Sequence, residues 1–335
     1  MSDPTDEPKP GDTLLAADVP KAGDTVRAVE GPRHQTLRLL SRQGGQPLRS
    51  LADAAAIRAN PGVVAEVAGQ THQGSVRSNN QDQFLIASLE RSLLIEGSSL
   101  PAEAGTRLTD TPQGRLLIVA DGIGGHGGGE VASAVAIDAM AHYAFETMPW
   151  VQRRSDCSSE ELTLGMQEAM ERAQARIRRV AKRKGLNEDL GTTLTMAYVA
   201  WPNAYLTHVG DSRAYLYRDG VLYRLTRDHT LAQHLVDVDS MTPEEAKHSR
   251  LSHVLVNAVG GSSDAIEVEL HLTHLQLDDQ LLLCSDGLYD MVEDDAISAA
   301  LTRTDRPVER VVAGLVDAAN KAGGRDNITL VLARF

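Results

Sequence analysis

The chain has 335 residues, 42% hydrophobic and 24% charged, with a formal net charge of −13. That length allows one large domain or two ordinary ones, and the acidic balance excludes non-specific nucleic-acid binding while suiting cation capture. Two cysteines, Cys157 and Cys284, make no disulfide framework, and no apolar run reaches the roughly 18 residues of a membrane span, so a cytoplasmic protein is expected.

Residues 1–24 are rich in Pro, Asp and small residues, with six acids and two bases. From 25 to 60 the balance reverses, with six arginines against Glu30 and Asp53. Residues 1–62 read as an N-terminal extension, largely disordered or regulatory. The folded part is expected over 63–335. It opens with the alternating strand VVAEVAGQT, a polar turn, and the strand QFLIASL; residues 90–113 read as a loop.

Leu116–Ala120 is a buried strand that ends in Asp121 and the glycine-dense GIGGHGGG, after which a helix runs to about Met148. The glycines are expected to serve close approach and positive φ. A second helix covers 160–184, its apolar stripe made of Leu162, Met166, Ala169, Ala173 and Ile177. Strands follow in quick succession (TTLTMAYVAW, NAYLTHVGDS, RAYLYRDG, VLYRLTR), with Asp219-Gly220 as a hairpin turn. A polar, His-containing insertion over 229–253 interrupts them. Strands AIEVELHLTHL and DQLLLCSDG, helix over about 292–322 and the strand ITLVLARF complete the chain. Strands in hairpin succession with four longer helices, not alternating βαβα, predict an antiparallel α+β sandwich.

The same chemistry recurs at strand ends. Asp121 and Asp286 each close an apolar strand and precede glycine; Asp211 ends a third strand; Asp326 and Asp82 sit just before strands. Carboxylates gathered at one sheet edge repel unless cations hold them, and oxygen donors select Mg²⁺, Mn²⁺ or Ca²⁺. No zinc spacing such as HExxH or CxxC competes. The reading is a two-metal hydrolase acting on an ester, with phosphate favoured by Arg77, whose guanidinium fork suits phosphate binding.

Seven segments in order carry a family resemblance: RSNNQD (77–82), VADGIGGHGGG (119–129), DLGTT (189–193), HVGDSRAYLYRDG (208–220), LTRDHT (225–230), SDGLYD (285–290) and GRDNITLVL (324–332). Over 63–335 the chain resembles the bacterial branch of the type 2C (PPM) metal-dependent serine/threonine protein phosphatases. The resemblance implies a four-layer αββα sandwich and a site for two Mn²⁺ or Mg²⁺ ions, with a third possible. It implies hydrolysis of phosphoserine and phosphothreonine esters by a water between the ions, without a phosphoenzyme. By the same resemblance Asp121 would bridge both ions, and the Gly122 carbonyl would complete the second. Asp286 and Asp326 would hold the first, and Asp82 would act through water. Arg77 would bind the substrate phosphate, and Asp189 with Asp286 would hold the third ion. It makes Asp211 structural, against the reading from spacing alone, and it makes 229–253 a flap beside the site. Phosphorylated proteins and a cognate kinase are the implied partners, with no nucleic acid or membrane, and the chain is taken as a monomer.

Two positions depart from the pattern. Gln81 stands where many relatives have a metal-binding Glu, and Ile123 stands where some have a His proposed as general acid. His126 is the nearest imidazole and the candidate for protonating the leaving oxygen. The alternative function is a catalytically weak pseudo-phosphatase that binds phosphoproteins, and Gln81 is the one residue that supports it.

Overall fold

The structure is a computed structural model that describes residues 65–90, 92–94, 107–109, 114–124, 128–151, 159–187, 189–261 and 265–335. The expected extension over 1–62, His126 and Cys157 lie outside the described residues. In chain order the elements begin with strands β1 (Glu66–His72), β2 (Gln83–Leu89), β3 (Ser92–Leu94), β4 (Arg107–Thr109), β5 (Gly114–Ala120) and β6 (Gly122–Ile123). Helices α1 (Gly129–Val151) and α2 (Ser159–Lys184) follow. Next come β7 (Gly191–Thr192), β8 (Leu194–Ala200), β9 (Asn203–Val209), β10 (Arg213–Arg218) and β11 (Val221–Arg224). The insertion holds α3 (Leu231–Asp237), α4 (Pro243–Lys247) and a 3-10 turn, Arg250–His253. The chain then forms β12 (Val259–Gly260), β13 (Glu269–His274), β14 (Gln280–Cys284), α5 (Asp286–Tyr289), α6 (Asp294–Leu301), α7 (Val308–Lys321) and β15 (Ile328–Arg334).

Two five-stranded antiparallel sheets carry the molecule, in the orders β1-β15-β14-β10-β11 and β13-β9-β8-β5-β2. The strands are apolar on both faces because both faces are covered, and alternation sorts each side chain to its layer. On β5, Leu117 and Val119 point between the sheets, while Leu116, Ile118 and Ala120 meet α1 and α2. On β14, Leu281 and Leu283 face the other sheet, while Leu282 and Cys284 meet α6 and α7. Each fully buried Leu or Ile contributes about 1.5–3 kcal/mol, so a one-residue slip that exchanged these faces would lose both interfaces. The result is a four-layer αββα sandwich, as expected.

The α2 stripe is confirmed where described: Met166, Ala169, Ala173 and Ile177 are all buried. Asp219 and Gly220 both have positive φ in the β10–β11 turn, as the Asp-Gly signal requires. The expected loop over 90–113 is corrected in part, because β3 and β4 pair within it. Three residues per strand give too short an alternation to be read from sequence. Among the described residues, no helix is long and apolar enough to cross a membrane.

Register decides where the site lies. In one sheet Gln83 pairs with Ala120, and Leu194 with Val209; in the other Arg213 pairs with Cys284, Cys284 with Leu330, and His72 with Ile328. Asp82, Asp121, Asp211, Asp286 and Asp326 each lie one or two residues beyond these pairs. They therefore emerge at the same end of the two facing sheets.

Candidate metal centre

At that end a polar cleft of about 320 Å³ is lined by Arg77, Gln81, Asp121, Asp211, Asp286 and Asp326, with Ile123, His253 and Leu255 at its apolar and flap sides. Asp121 is held through its backbone. Its N–H donates to Thr193 Oγ1 at 3.0 Å, and its carbonyl accepts from Thr193 N at 2.9 Å and Thr192 Oγ1 at 2.8 Å. The Gly-Thr-Thr turn thus fixes the main chain and leaves the Asp121 carboxylate for the cleft. Thr193 Oγ1 also shares a 2.7 Å hydrogen bond with Ser212 Oγ, which ties in the loop that carries Asp211.

The paired Asp-Gly sequences have a steric cause. A Cβ on Gly122 would strike the Gly129 carbonyl, and one on Gly287 would strike the Asn327 carbonyl. Neither residue has positive φ, so close approach, and not the left-handed backbone, demands glycine at both. Positive φ is found one turn on, at Gly128, where 118° also opens α1.

Asp82 is buried, and its Oδ2 accepts from Ser285 Oγ at 2.7 Å; Ser285 Oγ in turn accepts from Thr329 N at 3.0 Å. Asn327 fastens the loop that carries Arg77. Its Oδ1 accepts from Gln81 N at 2.8 Å, and its Nδ2 donates to the carbonyls of Gln73 at 2.8 Å and Asn79 at 2.9 Å. Arg77 makes a two-pronged pair with Asp326, Nε to Oδ1 at 2.7 Å and Nη2 to Oδ2 at 2.5 Å. The Gln81 amide donates toward the Gly124 carbonyl at 3.3 Å and Glu130 at 3.5 Å, bracing the glycine loop.

Burial first, and then repulsion between neighbouring carboxylates, pushes Asp121 and Asp286 well above the usual carboxylate range. Burial likewise raises Asp82 to about 6, and burial with the Asp228 charge raises Asp211 to about 7. Asp82 Oδ1 and Asp286 Oδ1 are buried without a hydrogen-bond partner. Orphaned oxygens among mutually repelling acids are a costly arrangement that divalent cations relieve. Among the described residues the donor set is oxygen apart from one imidazole: ligand atoms of His253, Asp286 and Asp290 lie within 4.8 Å of one another. These residues fit a hard cation such as Mg²⁺ or Mn²⁺.

Of the residues singled out from sequence, Arg77, Asp121, Gly122, Asp286 and Asp326 line the cleft, and Asp82 lies behind it, bonded to Ser285 beside Asp286. Asp189 is exposed and is not part of the lining. Ile123 lines the cleft. Sequence reading missed His253, Asp290 and Asn327. Asn327 was legible as the neighbour of Asp326, and Asp290 as the residue four after Asp286, on the same face of a helical turn. His253 gave no local signal, since it arrives from the flap. A second acid–imidazole group, His208, His229 and Glu269, lies in the interior. Both His208 ring nitrogens are engaged, Nδ1 with Thr195 Oγ1 at 2.9 Å and Nε2 with the Arg227 carbonyl at 3.0 Å, so this group is structural.

Two facing sheets with outer helices, and an acidic cleft at the shared strand ends, define a carboxylate-centred αββα protein. The family model for protein phosphatase 2C matches residues 98–332. The serine/threonine protein phosphatase PstP of Mycobacterium tuberculosis is 34% identical over 271 residues, 81% of this chain and 45% of that protein. The serine/threonine phosphatase stp of Listeria innocua is 32% identical over 65% of this chain and 83% of its own. Among solved structures, the Mycobacterium tuberculosis phosphatase PstP/Ppp is similar with a TM-score of 0.64 at 33% identity, covering 82% of this chain and 99% of that one. The PstP catalytic domain in complex with two manganese ions has a TM-score of 0.60 at 33% identity, covering 81% of this chain and 97% of that one. The chain belongs to the protein phosphatase 2C family. It spans a little under half the length of PstP.

Proposed function

We propose that the chain is a Mn²⁺- or Mg²⁺-dependent protein serine/threonine phosphatase that hydrolyses phosphoserine and phosphothreonine esters on phosphorylated proteins. The observation that carries this reading is the convergence of Asp121, Asp286 and Asp326 on one cleft that also holds Arg77. Asp121 and the Gly122 carbonyl, with Asp286 and Asp326, would hold two cations, and Asp82 would orient water next to them. Bound there, the cations supply positive charge against the phosphate and lower the pKa of water. Arg77 presents a fork that matches two phosphate oxygens. Ile123 and Leu255 add apolar side chains to the wall of the cleft. The pseudo-phosphatase alternative has little support, since the acids that such a module would shed are all present. A cognate kinase is the source of substrate that the family reading implies.

The test is hydrolysis of an aryl phosphate and a phosphothreonine peptide after EDTA treatment, with Mn²⁺, Mg²⁺ or Zn²⁺ restored in turn. Turnover should return with Mn²⁺ or Mg²⁺, and silence with every ion would sink the enzyme reading. Asp286→Asn should abolish this turnover without lowering Tm, because it removes a buried, repelled carboxylate. Retained activity in that variant would refute the ligand assignment.

A further inference from the structure

We propose that Arg77 and Asp326 form an exchangeable pair that couples cation loading to phosphate capture. The proposal rests on the reading of Asp326 as a cation ligand. Both Asp326 oxygens accept hydrogen bonds. Oδ1 accepts from Arg77 Nε at 2.7 Å and from Asn327 N at 2.8 Å, and Oδ2 accepts from Arg77 Nη2 at 2.5 Å. Its neighbours Asp82 and Asp286 each keep an oxygen without a hydrogen-bond partner. Three of the roughly four lone-pair positions of the Asp326 carboxylate are thus in use, and a cation on the side that faces Arg77 displaces an arm of the guanidinium fork, whereas Asp286 gives up nothing.

The surroundings favour exchange over a fixed salt bridge. The Arg77 side chain is 56% exposed and that of Asp326 30%, so water can replace either partner. The Arg77 main chain is anchored all the same. Its carbonyl accepts from Gln73 Nε2 at 2.6 Å, and Asn327 Nδ2 holds the Gln73 carbonyl at 2.8 Å. The guanidinium thus pivots from a fixed base at the edge of the cleft. Paired with Asp326, its fork is closed to a phosphate. Once a cation takes Asp326, the fork opens beside the acids that hold that cation.

Linkage then requires reciprocity: phosphate that occupies Arg77 raises cation affinity by the factor by which the cation raises phosphate affinity. Charge alone makes a different prediction, since any basic residue at 77 would repel a cation equally. Lysine keeps the charge and loses the fork, and so separates the two accounts.

Mg²⁺ binding to the full chain should be measured by calorimetry for wild type, Arg77→Lys and Arg77→Gln, with and without inorganic phosphate. The pair predicts that Arg77→Lys binds Mg²⁺ about fivefold or more tightly than wild type. Phosphate should tighten Mg²⁺ binding more in wild type than in Arg77→Gln. The ¹H–¹⁵N signal of Arg77 Nε, identified by its loss in Arg77→Lys, should shift with the midpoint of Mg²⁺ uptake. Equal Mg²⁺ affinity in wild type and Arg77→Lys, with an unmoved Nε signal, would overturn the pair and leave the metal site intact. No Mg²⁺ uptake by any variant would overturn both the pair and the ligand reading beneath it.

Discussion

Asn327 shows how one side chain can set a site through the main chain that it holds. It is buried, and its amide satisfies three main-chain groups of the loop that carries Arg77 and Gln81. Truncation would leave those part-buried groups without their protein partners. Asn327→Ala should therefore destabilise the protein by about 2–4 kcal/mol, roughly one for each lost bond plus the desolvation left behind. Urea unfolding measures this, and a loss below about 1 kcal/mol would show that the loop is held elsewhere. The same scale explains Gln81. Its amide braces Gly124 and Glu130, so at this position a neutral side chain supports the glycine loop through hydrogen bonds. The sequence pattern identified Gln81 as a lost charge; only its neighbours show what it does.

The flap is the element where local chemistry and tertiary contact can be told apart. Helix α4 is five residues long and buries nothing. It is sustained by Pro243 in its first turn and by a capping box in which Thr242 Oγ1 accepts from Glu245 N at 3.2 Å and Glu245 Oε2 accepts from Thr242 N at 2.8 Å. Two ion pairs tie the far half of the flap to the residues around α5 and α6: Lys247 Nζ meets Glu293 at 2.5 Å, and His253 Nδ1 lies 3.5 Å from Asp290. Both pairs are largely exposed and contribute little. Thr242→Ala should cost α4 about 1 kcal/mol, a roughly fivefold faster amide exchange over the helix, with global Tm unchanged. Hydrogen exchange by mass spectrometry reads this directly, and an unchanged α4 would mean that packing and not the cap holds the flap. The flap's base is firmer. His229 N–H donates to the Gly210 carbonyl at 2.7 Å, and its Nδ1 accepts from Gly210 N at 3.1 Å.

Across the whole molecule, the two sheets meet through an apolar interior that also encloses titratable groups, and these set opposing pH dependences. Burial, with the neighbouring His229, depresses His208 from 6.5 to about 4. The unfolded chain then binds a proton that the fold refuses, so this contribution is complete above the ordinary histidine range and is lost as pH falls toward 4. The loss amounts to about 2 kcal/mol between about pH 7.5 and about pH 5. The acids of the cleft act in the other sense. Asp211 at about 7 and Asp82 at about 6 take up protons in the fold, and their contribution grows as pH falls through those values. The two are separated by His208→Gln. The stability gap between wild type and this variant should narrow by about 2 kcal/mol over that range in urea titrations, whereas parallel curves would show that His208 does not carry the linkage.

Local pattern determined a great deal of this protein. Alternation and punctuation located β2, β8, β9, β10, β14 and β15 and the long helices α1 and α2, because each is long enough for its period to show, whereas the helix expected over about 292–322 divides into α6 and α7, the second opening at Pro307. Acids at strand ends beside glycine marked Asp121, Asp286 and Asp326, because burying a carboxylate there is costly without a purpose. What local pattern could not supply is which distant segments meet. Antiparallel register carries Asp82, Asp121, Asp286 and Asp326 to one end of two sheets, and no stretch of sequence encodes that pairing by itself. The fold brings in His253 from the flap and leaves Asp189 at the exposed edge, outside the cleft. It also decides the reason for Gly122 and Gly287, whose missing side chains make room for carbonyls at Gly129 and Asn327. The sequence states the residue types and their periods; contact between segments far apart in the chain exists only once the sheets have paired.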